Sequence, residues 1–295
     1  MKEKLLQFGV GDRLVGTLLD ARPLETQNTG HATPAMGSGE KHPSAVAVLT
    51  FNAGLIARTG PHRLWVKLAR RLGAQGISSF RFDLNGQGDS AQVPSGLAFE
   101  AQAVQDIVDA MDAVQAQTGI ERFVLAGICS GAALSYKTAL VDARVAACAM
   151  IDIYMYPTWR TRWVMLRHRA RHEGLALMLS QWGRRRLAAL KSLIKGVASE
   201  DLTPSALPGL ERPTPDEFAA GVQTLLSRHT QLLMMYTGGF LYNYNYANQF
   251  KDRFKSYRLL GPLQVDFDPH IDHTVTELSA QEFVLEKLGR WVRNV

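Results

Sequence analysis

The sequence predicts an α/β protein: a mostly parallel central sheet with helices on both faces and an inserted helical cap. Three observations carry that reading. Short apolar runs alternate with segments of helical period, the pattern of strands joined by crossover helices. One of those runs enters a helix through the glycine-flanked turn Gly127-Ile128-Cys129-Ser130-Gly131. The alternation then breaks once, after Tyr156-Pro157, where a basic segment shows no strand signal until Gln231.

Residues 5–19 read as a hairpin turned at Gly11-Asp12, antiparallel at the sheet edge. The stretch 26–44 is rich in Gly, Pro, Ser and Thr and reads as a flexible loop. Residues 45–51 form an unbroken apolar run suited to a strand buried on both faces. Leu64, Leu68 and Leu72 then share a helix face, and 77–82 makes the next strand. A turn dense in Gly, Asp and Asn (83–90) leads to a helix carrying Val104, Ile107, Val108, Met111 and Val114 on one stripe. Strand 122–128, helix 131–140 and strand 145–153 follow. Beyond the basic segment come strands at 231–236 and 263–267 and an amphipathic helix from Ser279 to the end. The core elements on either side of that segment belong to one sheet, so the expected organisation is a single domain, 1–295, with a basic helical cap inserted at 155–228.

Composition narrows the class. With 46% hydrophobic and 20% charged residues the chain is ordinary globular protein, which excludes collagen, coiled coil and disordered tail. Two cysteines are too few for a disulfide framework, so a reducing, cytoplasmic setting is expected. The start, Met1-Lys2-Glu3-Lys4, lacks a signal-peptide core, and no run approaches the ~20 apolar residues of a membrane span. The net charge of +6 is concentrated between Trp159 and Lys195, where ten Lys or Arg accompany one acid, Glu173. Neither a metal nor a cofactor is expected.

The turn around Cys129 matches G-x-nucleophile-x-G, the strand-to-helix elbow that presents a nucleophile at the carboxyl end of a sheet. The central residue is held in a strained conformation, and the positions two away must be small for the chains to pass. The helix N-terminus beneath it favours a thiolate and a developing oxyanion. If Ser130 were central, the flanking residues would be Ile128 and Ala132, and Ile128 fits poorly; the register selects Cys129. The alternative, a small buried hydrophobe at a strand end, has the two glycines against it. For Cys148, mid-strand between Ala147 and Ala149, the core reading wins.

Together with this elbow, Phe51-Asn52-Ala53-Gly54 with Arg63, the stretch Arg81 through Ser90, and Asp272-His273-Thr274 resemble the α/β-hydrolase superfamily, in the branch of serine-aminopeptidase-like and exosortase system-associated hydrolases. The resemblance covers most of the chain except 26–44 and the cap. It implies that His273, after the last strand, is the base, with His270 a decoy three residues earlier. It implies an oxyanion hole of the Ser130 N–H and that of Ala53 or Gly54. Family members usually carry the acid after the strand at 231–236, but here Thr237-Gly238-Gly239 follows, with no carboxylate. Three arrangements stay open: an acid at the end of the preceding strand, Asp152, a position some relatives use and the one preferred; an orienting Asn243 or Asn245; or a Cys–His dyad. Asp83 and Asp89 are read as shaping their turn, and the run 242–248 either bonds a polar substrate or forms a surface loop.

The cap combines arginines with Trp159, Trp163, Leu166 and Trp182, a pattern that fits an anionic membrane surface in peripheral contact, the phosphates of a carrier-bound acyl thioester, or a solvated face. Without a recognisable nucleic-acid module, nucleic acid is not expected as a partner. The expected reaction is attack by Cys129 on a small-molecule acyl ester or thioester through an acyl-cysteine, making the chain a hydrolase or thioesterase. The alternatives are an acyltransferase using the same intermediate and a non-catalytic, membrane-associated partner of a biosynthetic system.

Overall fold

A computed structural model describes residues 2–21, 46–172 and 209–295. The predicted loop at 26–44 and residues 173–208 of the predicted cap lie outside the described residues. The chain builds one eight-stranded sheet in the order β1-β2-β4-β3-β5-β6-β7-β8. The strands are β1 (Lys2–Phe8), β2 (Leu14–Asp20), β3 (Val46–Thr50), β4 (Ser78–Phe82), β5 (Arg122–Ile128), β6 (Val145–Ile151), β7 (Gln231–Thr237) and β8 (Leu263–Asp268). β1 and β2 form the predicted antiparallel hairpin, and β2 pairs antiparallel with β4; every other pairing is parallel.

Helices cover both faces, which is why the central strands read as continuous apolar runs rather than alternating ones. Along β5, Phe123 and Leu125 point into one layer and Val124, Ala126 and Ile128 into the other, as the two-residue strand period requires. The first layer packs beneath α2 (Phe99–Thr118) and α3 (Ser130–Val141), through Ile107, Met111 and Leu134. The second packs beneath α1 (Leu64–Gly73) and a C-terminal helix, through Leu64, Leu68, Leu72, Leu285 and Leu288. Cys148 is fully buried in the first layer, and burial pushes its thiol pKa well up.

After β6 the chain enters α4 (Trp159–His172), within the segment where the sequence predicts a cap. The next described helix, α5 (Pro215–Ser227), corrects the expected cap boundary at 228. Phe218, Val222 and Leu225 are fully buried in the same layer as α3, and the Phe218 and Tyr136 ring centroids lie 5.1 Å apart. Gly221 admits the Tyr136 hydroxyl, which a Cβ there would overlap. α5 is therefore the crossover helix that returns the chain to lay β7 parallel to β6, so it does not belong to the cap expected over 155–228. A capping box starts α5: the Thr214 hydroxyl accepts from the Glu217 N–H, Glu217 reaches back to the Thr214 N–H, and Pro215 occupies the first turn. Cap and crossover helices are both amphipathic, so pattern alone does not separate them. A short helix, α6 (Gln249–Arg253), precedes β8, and α7 (Leu278–Val292) closes the chain. Among the described residues no helix is long and apolar enough to cross a membrane.

If α5 belongs to the core, Phe218→Ala should cost about 3–5 kcal/mol in urea unfolding. A loss under about 1 kcal/mol would place it with the cap.

Candidate active site

β5 ends at Ile128, and Cys129 turns the chain at φ 58°, ψ −119° before α3 begins at Ser130. The turn is held from both sides. The Cys129 N–H donates to the Ile151 carbonyl (2.9 Å), and its own carbonyl accepts from the N–H groups of Ala132 (3.1 Å) and Ala133 (3.2 Å). Both glycines are required by proximity: a Cβ on Gly127 would stand 2.3 Å from the Gly131 carbonyl atoms, and one on Gly131 would stand 2.9 Å from the Asn52 carbonyl oxygen. The thiol is thus half-buried at the N-terminus of a twelve-residue helix, whose partial positive charge favours an anion.

One strand over, β6 ends at Ile151 and Asp152 takes a left-handed conformation, φ 53°, with its N–H donated to the Met235 carbonyl (2.8 Å). Its buried carboxylate is fully engaged. Oδ1 accepts the Thr237 N–H (2.8 Å), and Oδ2 accepts the Thr237 hydroxyl (2.6 Å) and pairs with His273 Nδ1 (2.7 Å). Cys129 acts electrostatically on the same imidazole. Burial works against the protonated ring, but the bond and charge of Asp152, reinforced by Cys129, outweigh it and push the His273 pKa up to about 9. Its loop is folded by Asp272, whose carboxylate accepts from the Thr274 and Thr276 N–H groups, while the Phe240 ring meets the imidazole edge-on at 4.4 Å.

The structure therefore brings Cys129, His273 and Asp152 together, the first of the three arrangements left open by the sequence. Asn245 instead donates its amide to the Thr161 carbonyl (3.0 Å) on α4. The Asn243 backbone carbonyl accepts from the Gln249 side-chain amide. His270 is exposed, and the side chains of His168 and His172 lie outside the described residues. The absence of a carboxylate after β7 has a steric cause. A Cβ on Gly238 would sit 2.1 Å from the Pro269 carbonyl oxygen, and one on Gly239 would sit 2.6 Å from His273 Cβ. Glycine is the residue that lets this turn lie against the histidine loop.

The loop after β3 supplies the remaining groups. The Gly54 N–H is donated to the Ser130 hydroxyl (2.7 Å), which removes Gly54 as a free donor. Ala53 forms an isolated antiparallel bridge with Ile56, whose N–H donates to the Ala53 carbonyl (3.0 Å), and among the described residues the Ser130 N–H carries no such bond. Asn52 anchors the loop, donating to Asp83 Oδ1 (3.0 Å) and accepting from the Leu84 N–H (2.7 Å). Arg58 clamps the same carboxylate through its N–H and its guanidinium, and also reaches Asp89 (2.7 Å). Asp83 and Asp89 are thus bracing groups. The sequence reading missed the Ser130 latch, Thr237 and Arg58; only Thr237, a hydroxyl at a strand end before two glycines, left a trace there. Among the described residues no group of three or more His, Cys, Asp or Glu could hold a metal ion.

Gly127→Ala is expected to cost about 3 kcal/mol or more in denaturant unfolding, because the obstacle is backbone; a loss under about 1 kcal/mol would mean the turn can relax. In proton–nitrogen NMR of histidine-labelled protein, the His273 ring should titrate near pH 9 and Asp152→Asn should move the midpoint down. A wild-type midpoint near 6.5 would contradict the geometry. Because the folded value lies above the unfolded one, this pair's stabilisation is complete below about pH 6.5 and is lost as pH rises through about 9.

Comparisons with known proteins bear on the fold and the family. No curated protein matches the chain. Among solved structures, the esterase domain of a Rhodothermus marinus protein shares 18% identity at a TM-score of 0.53, with 99% of this chain and 98% of that one covered. A Pyrococcus furiosus esterase superposes at a TM-score of 0.60 with 11% identity, covering 99% and 91%. An alpha-beta serine hydrolase homologue from Coxiella burnetii gives 0.52 and 15%, covering 98% and 96%. At these identities the likeness is one of fold. Residues 54–290 match the family model described as the alpha/beta hydrolase family, and the chain belongs to that family.

Proposed function

We propose that this chain is an enzyme that opens ester or thioester bonds through an acyl-cysteine on Cys129. The observation that carries the reading is the Asp152–His273 Nδ1 pair at 2.7 Å, whose imidazole is also influenced by the Cys129 side chain, set beside a nucleophile elbow. The thiol proton passes to His273, whose raised proton affinity favours the transfer. The sulfur attacks the acyl carbonyl, and the oxygen that becomes negative is received by the Ala53 and Ser130 N–H groups, worth several kcal/mol of barrier in such sites. Collapse breaks the bond to the leaving group, which departs as alcohol or thiol with the His273 proton. Water, losing its proton to His273, then releases the acid and restores the thiol.

Asp152 holds the imidazole in the tautomer and orientation that both proton transfers need, and Thr237 holds Asp152. A second reading, acyl transfer to a bound alcohol or amine, is favoured by the sulfur itself, since an acyl thioester passes readily to such nucleophiles. The non-catalytic reading rested on the missing acid after β7, and the place of Asp152 beside His273 argues against it. The resemblance to exosortase system-associated hydrolases adds no substrate to this assignment.

Intact-mass analysis after incubation with a panel of acyl thioesters tests the nucleophile. Wild type should gain the acyl mass, Cys129→Ala should not, and His273→Ala should acylate about 10²–10⁴-fold more slowly. An adduct that persists in Cys129→Ala would refute the assignment. Free acid as the sole product with every acceptor offered would refute acyl transfer.

A further inference from the structure

The first turn of α4 is fastened to the protein by one side. Thr161 is buried, its carbonyl accepts from Asn245 (3.0 Å), and the Thr158 hydroxyl meets the Tyr246 hydroxyl at 2.8 Å. At 3.6 residues per turn, Trp159, Trp163 and Leu166 fall within roughly 60° of each other on the side opposite Thr161. They are 73%, 56% and 41% exposed. Two tryptophans turned outward on one helix face are not the residue choice of a solvated surface.

The flanks of that face are basic. Arg160, Arg162 and Arg167 are exposed beside it, with Arg160 also stacked on the Tyr246 ring at 4.6 Å, and α4 contains no acidic residue. Indole rings at the centre and guanidinium groups at the edge are the composition that settles at the boundary between lipid headgroups and acyl chains. Charge selects among surfaces of that kind. Arginines flanking an apolar stripe are complementary to anionic headgroups, whereas an acidic protein partner would satisfy the arginines without explaining the two indoles. The helix also follows the carboxyl end of β6, the end of the sheet at which Cys129 lies, and Leu55 and Tyr242 are strongly exposed after the carboxyl ends of β3 and β7.

We infer that the outer face of α4, with Trp159, Trp163 and Leu166 at its centre and Arg160, Arg162 and Arg167 at its edges, docks on an anionic lipid bilayer. This holds whatever chemistry Cys129 performs. It presents the carboxyl end of the sheet toward the lipid surface.

Flotation of the full-length protein with vesicles tests it. Binding to vesicles of equal parts phosphatidylcholine and phosphatidylglycerol should exceed binding to phosphatidylcholine alone by about tenfold or more, and should weaken as salt is raised. The double variant Trp159→Ser/Trp163→Ser and the triple variant Arg160→Gln/Arg162→Gln/Arg167→Gln should each weaken binding to the anionic vesicles about tenfold or more. Unchanged thermal unfolding by circular dichroism would show that the variants fold, and Leu166→Gln offers a milder third change in the same direction. Absence of binding to the anionic vesicles would overturn the inference, as would binding that the double Trp variant leaves unchanged. Binding to soluble polyglutamate but not to vesicles would assign the face to an acidic protein partner and overturn it equally.

Discussion

Two backbone residues in left-handed conformations, Cys129 and Asp152, stand at the carboxyl ends of neighbouring strands, and the site takes its geometry from how they are held. Each such non-glycine residue costs of order 1–3 kcal/mol and persists only where its surroundings over-determine it. Here the restraint passes from strand to strand. The Cys129 N–H is bonded to the end of β6 at Ile151, and the Asp152 N–H is bonded to β7 at Met235, two residues before its end. The parallel sheet, buried on both faces, supplies the rigid base for this arrangement, and the glycines at 127 and 131 supply the space for it. Ser130 then ties the loop after β3 to the elbow through Gly54, so groups from β3, β5, β6 and the loop after β8 are set against one another before any substrate arrives.

The position of the carboxylate follows from adjacency. β6 and β7 are paired neighbours, and a side chain from the end of either can approach the same imidazole. In this chain the end of β7 contributes Thr237, which binds both carboxylate oxygens of Asp152, and then two glycines that pass beside Pro269 and His273. An acid placed on that turn would collide with the loop it is meant to orient. The β6 placement and the glycine pair are two parts of one packing solution.

Much of this was legible in the sequence because it depends on local pattern. The two-glycine spacing fixed the register of the elbow on Cys129 over Ser130, and the apolar runs located the parallel strands to within a residue or two. Asp152 was legible only through the resemblance, as the alternative position some relatives use once the usual place was seen to be vacant. What the sequence did not disclose depends on distant partners. Ser130 as a latch needs the loop after β3 beside it, and Thr237 as a brace needs the end of β6. Helix α5 reads as cap until Phe218 is seen under Tyr136, since an amphipathic stripe does not say which apolar surface it covers. The pairing of Arg58 with Asp83 and Asp89 spans the loop and the next strand, and no spacing rule announces it.

Moving the acid off β7 also changes what natural variation can do. The segment beyond Phe240, whose ring meets His273, has no carboxylate to keep in place, and its bonds run to α4 instead, through Asn245 to Thr161, and to Thr158 just before it through Tyr246. Drift or insertion there is judged by its fit to α4 rather than by the Asp152–His273 pair. The loop and the cap helix are therefore free to diversify as a pair among descendants of this sequence, while the elbow, the histidine loop and Asp152 stay fixed.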